Sequence, residues 1–154
     1  MKDSQNKIKQ YALKLLSYRA RSEKELKERL KNKGFPENDI FSVTEHLKKL
    51  GLINDNLLAE SLKQDASERK LLSSDGIKRY LLQKGIPKNV IKSVCNENDN
   101  EDLDKAIKYI LKKFRKSGFY PDEKTKKKLY NQLLRRGYSP DIIFKALNKI
   151  KKEE

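Results

Sequence analysis

Histidine and cysteine occur once each in this 154-residue chain, as His46 and Cys95, and their scarcity excludes several kinds of chemistry. A serine or cysteine nucleophile paired with an imidazole base could use no histidine but His46, and neither Gly-x-Ser-x-Gly nor His-Glu-x-x-His occurs. Catalysis and a bound cofactor are therefore not expected. One cysteine and one histidine provide no ligand cluster for zinc, and Cys95 cannot form an internal disulfide, which agrees with a reducing compartment. No run approaches the roughly 18 apolar residues of a membrane span, and the N-terminus has no apolar signal region, so a cytoplasmic protein away from membranes is expected. No segment alternates apolar and polar residues with period two, so no sheet is expected. Hydrophobic residues make up only 36% of the chain against 38% charged, which limits each helix to one apolar stripe with a solvated remainder.

What is present is repetition. Leu26, Leu30, Gly34, Ile40 and Val43 reappear as Ile77, Leu81, Gly85, Ile91 and Val94, and again as Leu129, Leu133, Gly137, Ile143 and Ala146. The glycines lie 51 residues apart (85 minus 34) and then 52 (137 minus 85), the period of a supersecondary unit. Apolar residues eight and four positions before each glycine stack on one helix face, and the glycine takes the left-handed position that ends the helix. A second helix then opens its core face six and nine residues later. Gly34, Gly85 and Gly137 are thus read as structural turns. They sit at helix C-termini, the wrong end for cradling phosphate.

The chain in order predicts three helices per copy. The first spans about 4–18 with Ile8, Ala12, Leu15 and Leu16 inward. Ser22 and Glu25 then form a capping box ahead of Leu26 and Leu30. A helix over about 36–50 carries Ile40, Val43, Leu47 and Leu50 inward, with Leu52 making a hydrophobic contact after Gly51. Asn54 or Asp55 caps a helix to about 69 bearing Leu58, Leu62 and Ala66. Residues 73–76 cap the helix of Ile77 and Leu81, and Val90, Ile91 and Val94 open the next core face. Residues 96–102 have no residue that wants a core and read as a hinge. Asp99, Glu101, Asp102 and Asp104 within and beside them lack the glycine and glutamate of a calcium loop. Leu103, Ile107, Ile110, Leu111 and Phe114 follow on one helix, then a turn at Ser117, Gly118, Tyr120 and Pro121. A basic helix ends at Gly137, and a last helix is capped by Ser139. The expected architecture is all-α: an array of three tandem three-helix repeats, 1–53, 54–97 and 98–154. His46 and Cys95, each one residue from a core position, are expected to be structural.

Net charge is +15 and unevenly placed: 1–50 carry 13 basic and 7 acidic residues (+6), 51–102 carry 8 and 9 (−1), and 103–154 carry 16 and 6 (+10). That asymmetry suggests a polyanionic partner, most simply nucleic acid, reached by the outer units. Lys112, Lys113, Arg115 and Lys116, then Lys124, Lys126, Lys127 and Lys128, then Arg135 and Arg136, form a candidate phosphate-tracking stripe, with Tyr120 or Tyr138 to stack on a base. The two arginines stand out in a chain where Lys outnumbers Arg 29 to 8.

With the three glycine-centred copies in view, the sequence resembles the RecX family, bacterial regulators of the RecA recombinase. The resemblance lies in Tyr11-Ala12-Leu13-Lys14-Leu15-Leu16 with Arg19 and Ser22-Glu23-Lys24-Glu25-Leu26, and in Lys33-Gly34-Phe35 and Leu50-Gly51-Leu52-Ile53. It continues through Leu58-Ala59-Glu60, Ile77, Leu81, Gln83-Lys84-Gly85-Ile86, Leu133 and Arg135-Arg136-Gly137-Tyr138. The chain departs from the family pattern near Leu57 or Leu58, at Ser73 and at Tyr80. The resemblance implies an elongated, curved repeat protein that docks along the groove of a RecA filament on single-stranded DNA, touching adjacent protomers, and alters, usually by inhibition, filament growth, ATP turnover and strand exchange in homologous recombination and repair; a monomer is expected. The near-neutral middle unit could then face protein while the basic ends approach DNA, single-stranded or duplex, or an acidic filament surface. A helical DNA-binding protein acting without a recombinase remains the alternative.

Overall fold

The computed structural model describes residues 3–114 and 121–152, apart from the side chains of 114, 151 and 152. Among these residues there is no strand. The helices are α1 (Asp3–Tyr18), α2 (Glu23–Asn32), α3 (Glu37–Lys49), α4 (Asp55–Glu68), α5 (Ser74–Gln83), α6 (Lys88–Val94), α7 (Asp99–Phe114), α8 (Glu123–Arg135) and α9 (Pro140–Lys152). The turn predicted at Ser117, Gly118 and Tyr120 lies outside the described residues. By compactness the chain forms two units, Met1–Ser61 with Leu81–Val94, and Leu62–Tyr80 with Cys95–Glu154. The helices of the middle triplet, α4 to α6, therefore contribute to both.

The periodic positions become core because each lies on the inner face of its helix. In the first unit Ile8, Ala12, Leu15, Leu26, Leu30, Ile40, Val43, Leu47 and Ile53 form one buried cluster. In the second, Leu71, Ala106, Tyr109, Ile110, Leu129, Leu133, Tyr138, Ile142, Ile143, Ala146, Leu147 and Ile150 form another. Each fully buried leucine or isoleucine contributes about 2 kcal/mol relative to exposure. Gly34, Gly85 and Gly137 have φ of +99°, +86° and +97°. The residue after each glycine donates its N–H back across the turn: Phe35 to Leu30 (3.3 Å), Ile86 to Leu81 (3.1 Å) and Tyr138 to Leu133 (3.1 Å). That bond is the one that closes a helix through a left-handed residue.

The sequence reading needs correction where it favoured large aliphatic side chains. Leu50 and Leu52 are exposed, and Ile53 fills the core instead. Leu50 is the residue on which α3 stops, so the chain has reversed at Gly51 before another turn can face inward. On α7 Ile110 is buried and Leu103 and Ile107 pack partly buried against the core as expected, but Ala106 and Tyr109 complete the inner face while Leu111 is exposed. On α4 it is Ala59 and Ala66, with Leu58 and Leu62 half-buried. Lean bundles close on alanine because a small side chain lets the helix axes approach.

The capping box is also only half present. Ser22 Oγ accepts the Glu25 N–H at 3.0 Å, but the Glu25 carboxylate pairs with Arg19 and Arg21. Two guanidiniums outcompete one neutral N–H. Burial would raise the Glu25 pKa, yet the Arg19 hydrogen bond and the charges of Arg19, Arg21 and Arg29 bring it below the ordinary 4.5. Stability from a lowered carboxylate is present above its unfolded value and is lost as pH falls through the folded one. Glu25→Gln should therefore be less stable than the parent at neutral pH and lose less stability as pH drops below 4.5, read from urea midpoints at neutral and acid pH. Asp55 acts in the opposite sense: burial, reinforced by the charge of Glu23, outweighs the Glu23 N–H bond and the charge of Lys48 and raises it above 3.8, so its proton linkage adds stability below that value that is lost as pH rises through the folded one, while the N–H bond to the carboxylate remains.

The structure also shows a joint that occurs twice. In the first unit the N-terminus of α2 meets the middle triplet: Glu23 N–H donates to Asp55 Oδ1 at 3.0 Å, and Ser22 is fully buried against Gly85. In the second unit the N-terminus of α5 meets the last triplet in the same way. Ser74 N–H and Oγ both donate to Asp102 Oδ1 at 3.0 Å, and Ser73 lies against Gly137. Asp102 is 9% exposed, so the stretch read as a hinge ends in an anchor. Tyr138 seals this second joint by donating its hydroxyl to Leu71 O at 2.7 Å, holding Leu71 at φ 53°. An L-residue with that backbone costs roughly 1–2 kcal/mol, offset here by burial and the hydroxyl bond.

Candidate nucleic-acid interface

The basic helix α8 starts at Asp122, whose carboxylate accepts the Thr125 N–H at 2.8 Å, and it buries Leu129 and Leu133. At about 100° per residue, Lys124, Lys128, Asn131 and Arg135 fall within roughly 60° of one another, opposite the two leucines. All four are exposed, as is Lys127 beside them. The row is about 17 Å long, at 1.5 Å per residue. Among the described residues no carboxylate pairs with Lys124, Lys127, Lys128 or Arg135, although Asp122 lies close enough to Lys124 to feel its charge.

The other predicted cations are placed differently. Lys126 turns toward the core side and pairs with Glu123 at 3.4 Å. Arg135 and Arg136, adjacent in sequence, separate completely. The Arg136 guanidinium stacks over the Tyr109 ring at 4.6 Å, its buried Nε having no hydrogen-bond partner among the described residues, and its carbonyl accepts Ser73 N–H (3.1 Å) and Oγ (3.2 Å). Lys113 reaches the same ring at 5.6 Å, while Tyr109 donates its hydroxyl to Gln132 Oε1 at 2.7 Å. Lys112 is exposed on α7. Arg115, Lys116 and Tyr120 lie outside the described residues. Tyr138 is 2% exposed and cannot stack on a base, which corrects the expectation. Burial and the charge of Asp102 raise its hydroxyl pKa well above the ordinary 10 despite the opposing charge of Arg136, so it remains a donor.

An aromatic pair that sequence reasoning missed lies beside this row. Tyr130 of α8 and Phe144 of α9 have ring centroids 5.7 Å apart at 47°. Phe144 is 58% exposed and Leu134 is exposed nearby on α8. The available signal was Phe144 itself, a large apolar residue outside the periodic core positions. His46 is half-buried, its Nε2 3.3 Å from Lys9 Nζ, and Cys95 is buried. Among the described residues no group of His, Cys, Asp and Glu could hold a metal, and no helix is long and apolar enough to cross a membrane.

These features define an all-α protein of three-helix units with a cationic outer helix. Two family models match the chain: RecX, first three-helix domain, over residues 9–47, and RecX, third three-helix domain, over residues 99–147. The Regulatory protein RecX of Clostridioides difficile is 32% identical over 145 residues, covering 94% of this chain and 68% of that protein. That of Chlorobaculum tepidum is 33% identical over 144 residues, covering 94% and 88%. The crystal structure of RecX from Lactobacillus salivarius superposes with a TM-score of 0.78 at 26% identity, over 97% of each chain. The chain belongs to the RecX family of regulatory proteins.

Proposed function

We propose that this protein binds the RecA recombinase filament on single-stranded DNA in the cytoplasm and restrains filament growth, ATP turnover and strand exchange, acting as a monomer by binding rather than catalysis. The observation that carries the reading, beyond family membership, is the exposed row Lys124, Lys128 and Arg135 on the face of α8 opposite its buried leucines. Such a row suits a polyanion, because each neutralised phosphate releases condensed counterions. The repeats 1–53, 54–97 and 98–154 act as modules along a repeating partner, where several weak contacts gain from effective concentration. In this reading the near-neutral middle module faces protein and the basic outer modules approach DNA.

Co-sedimentation with RecA on single-stranded DNA, with and without ATP, tests it. Tight association with the filament and weak association with bare DNA is expected; tight, salt-steep binding to duplex DNA without recombinase would instead support a direct DNA-binding role. Reversing Lys128 and Arg135 to Glu should weaken filament binding, and should shallow the salt dependence on single strands by about 0.7 per lost phosphate contact. Unchanged affinity at moderate salt would remove α8 from the interface. Arg136→Glu is a poor probe of binding, since it would disturb the Tyr109 stack and the fold with it.

A further inference from the structure

We infer that Phe144, held by Tyr130 and bordered by the cationic row of α8, is a stacking platform for the bases of a single-stranded nucleic acid. This rests on the reading of α8 as a polyanion-facing helix and specifies what the strand does there. Phe144 is 58% exposed, although a phenylalanine gains substantially from burial. Tyr130 packs partly into the core cluster and meets Phe144 at 5.7 Å, so the ring stands on a fixed support. Going around α8, Tyr130 and Leu134 lie next to Lys127, roughly 20–60° away, and the row of Lys124, Lys128 and Arg135 comes next. A single strand offers that sequence of chemistries in one ligand: unpaired base faces for the rings and, one sugar away, phosphates for the ammonium and guanidinium groups. A duplex keeps its base faces stacked and has nothing for the ring.

Charge complementarity is what selects this occupant. Asp141, one turn before Phe144 on α9, is already paired with Lys145 at 3.1 Å, so that carboxylate is offset by a cation beside the ring. Phe41, which is comparably exposed in the other unit, differs in having the Lys27 ammonium 5.7 Å from its ring centroid. Among the described residues no cation covers Phe144.

The test uses the full chain and a fluorescent oligo(dT), followed by anisotropy, with a duplex of equal length as control. Phe144→Ala should weaken oligo(dT) binding about ten-fold, within the range for loss of one base-stacking ring, while leaving both duplex affinity and the salt slope unchanged. Phe144→Leu, which keeps apolar area but has no π face, should lose most of the same affinity. Phe144→Trp should keep it and, because the chain has no other tryptophan, should report binding by quenched emission. Equal oligo(dT) affinity of the Ala variant and the parent would overturn the inference, as would full retention by the Leu variant. Loss of RecA association by Phe144→Ala with oligo(dT) affinity intact would also overturn it and mark a protein-docking patch. If the parent fails to bind the RecA filament yet Phe144→Ala loses oligo(dT) affinity, the filament reading falls and the platform stands.

Discussion

Alanine at Gly137 should destabilise the protein by about 4 kcal/mol or more, a large share of the roughly 5–15 kcal/mol that holds a typical domain folded. Two effects add. The backbone there has φ +97°, which costs an L-residue roughly 1–2 kcal/mol. A methyl group would also point into Ser73 Oγ and come within 2.5 Å of Gly76 N and 2.7 Å of Gly76 Cα. Backbone cannot swing aside, so relief requires the N-terminus of α5 to separate from the α8 turn, with loss of the Ser73 bonds to Arg136 O. Gly85→Ala should cost less, because its methyl would meet Ser22 Oγ at 2.5 Å but no backbone. Gly34→Ala should cost only the backbone term, roughly 1–2 kcal/mol, since none of the described residues lies within 4 Å of the added atom. Urea denaturation followed by helical circular dichroism will rank the three. Equal losses at Gly34 and Gly137 would mean that the second joint is not as tight as its geometry states.

Asp102→Ala should be next in size, about 3 kcal/mol, from leaving buried donors without an acceptor. Its Oδ1 accepts both Ser74 N–H and Ser74 Oγ at 3.0 Å, and Lys105, itself only 13% exposed in its side chain, lies 3.6 Å away. Lys105 keeps its bond to Leu72 O at 2.8 Å but would lose its counter-charge. Asp102→Asn, which retains an acceptor oxygen and gives up the charge, should cost about half as much. Asp55→Ala removes the corresponding carboxylate of the first joint, where the acceptor is less deeply buried and takes one bond from Glu23 N–H, and should cost about 1 kcal/mol. An Asp102→Ala variant with an unchanged urea midpoint would return residues 96–102 to the role of a loose connector.

Much of the fold was legible because its determinants are local. A helix that ends on a left-handed glycine is written within six residues, from Leu30 to Phe35 or from Leu133 to Tyr138. The caps at Ser22, Asn54 and Ser139 are written within four, each accepting an N–H three residues on. Core faces were legible where large aliphatics mark the phase of the helix, as at Leu26 and Leu30. They were missed where alanine does, as at Ala59 and Ala106, because alanine carries little signal of its own. The candidate site was half legible. Charge density pointed to α8, but helix phase separates Lys128 and Arg135, which face water, from Lys126 and Arg136, which turn inward.

By itself the sequence determined that this is an all-α chain of three related helical units with basic ends, since periodicity, glycine turns and charge are properties of neighbours along the chain. Only the tertiary structure decided which surfaces join and which remain open. Ser22 meets Gly85 and Ser73 meets Gly137, partners 63 (85 minus 22) and 64 (137 minus 73) residues apart. Asp102 is drawn from a polar run into a buried joint, and Phe144 is left outside the core beside the lysines. Proximity in space depends on how helices cross, and no local pattern of residue types encodes that crossing.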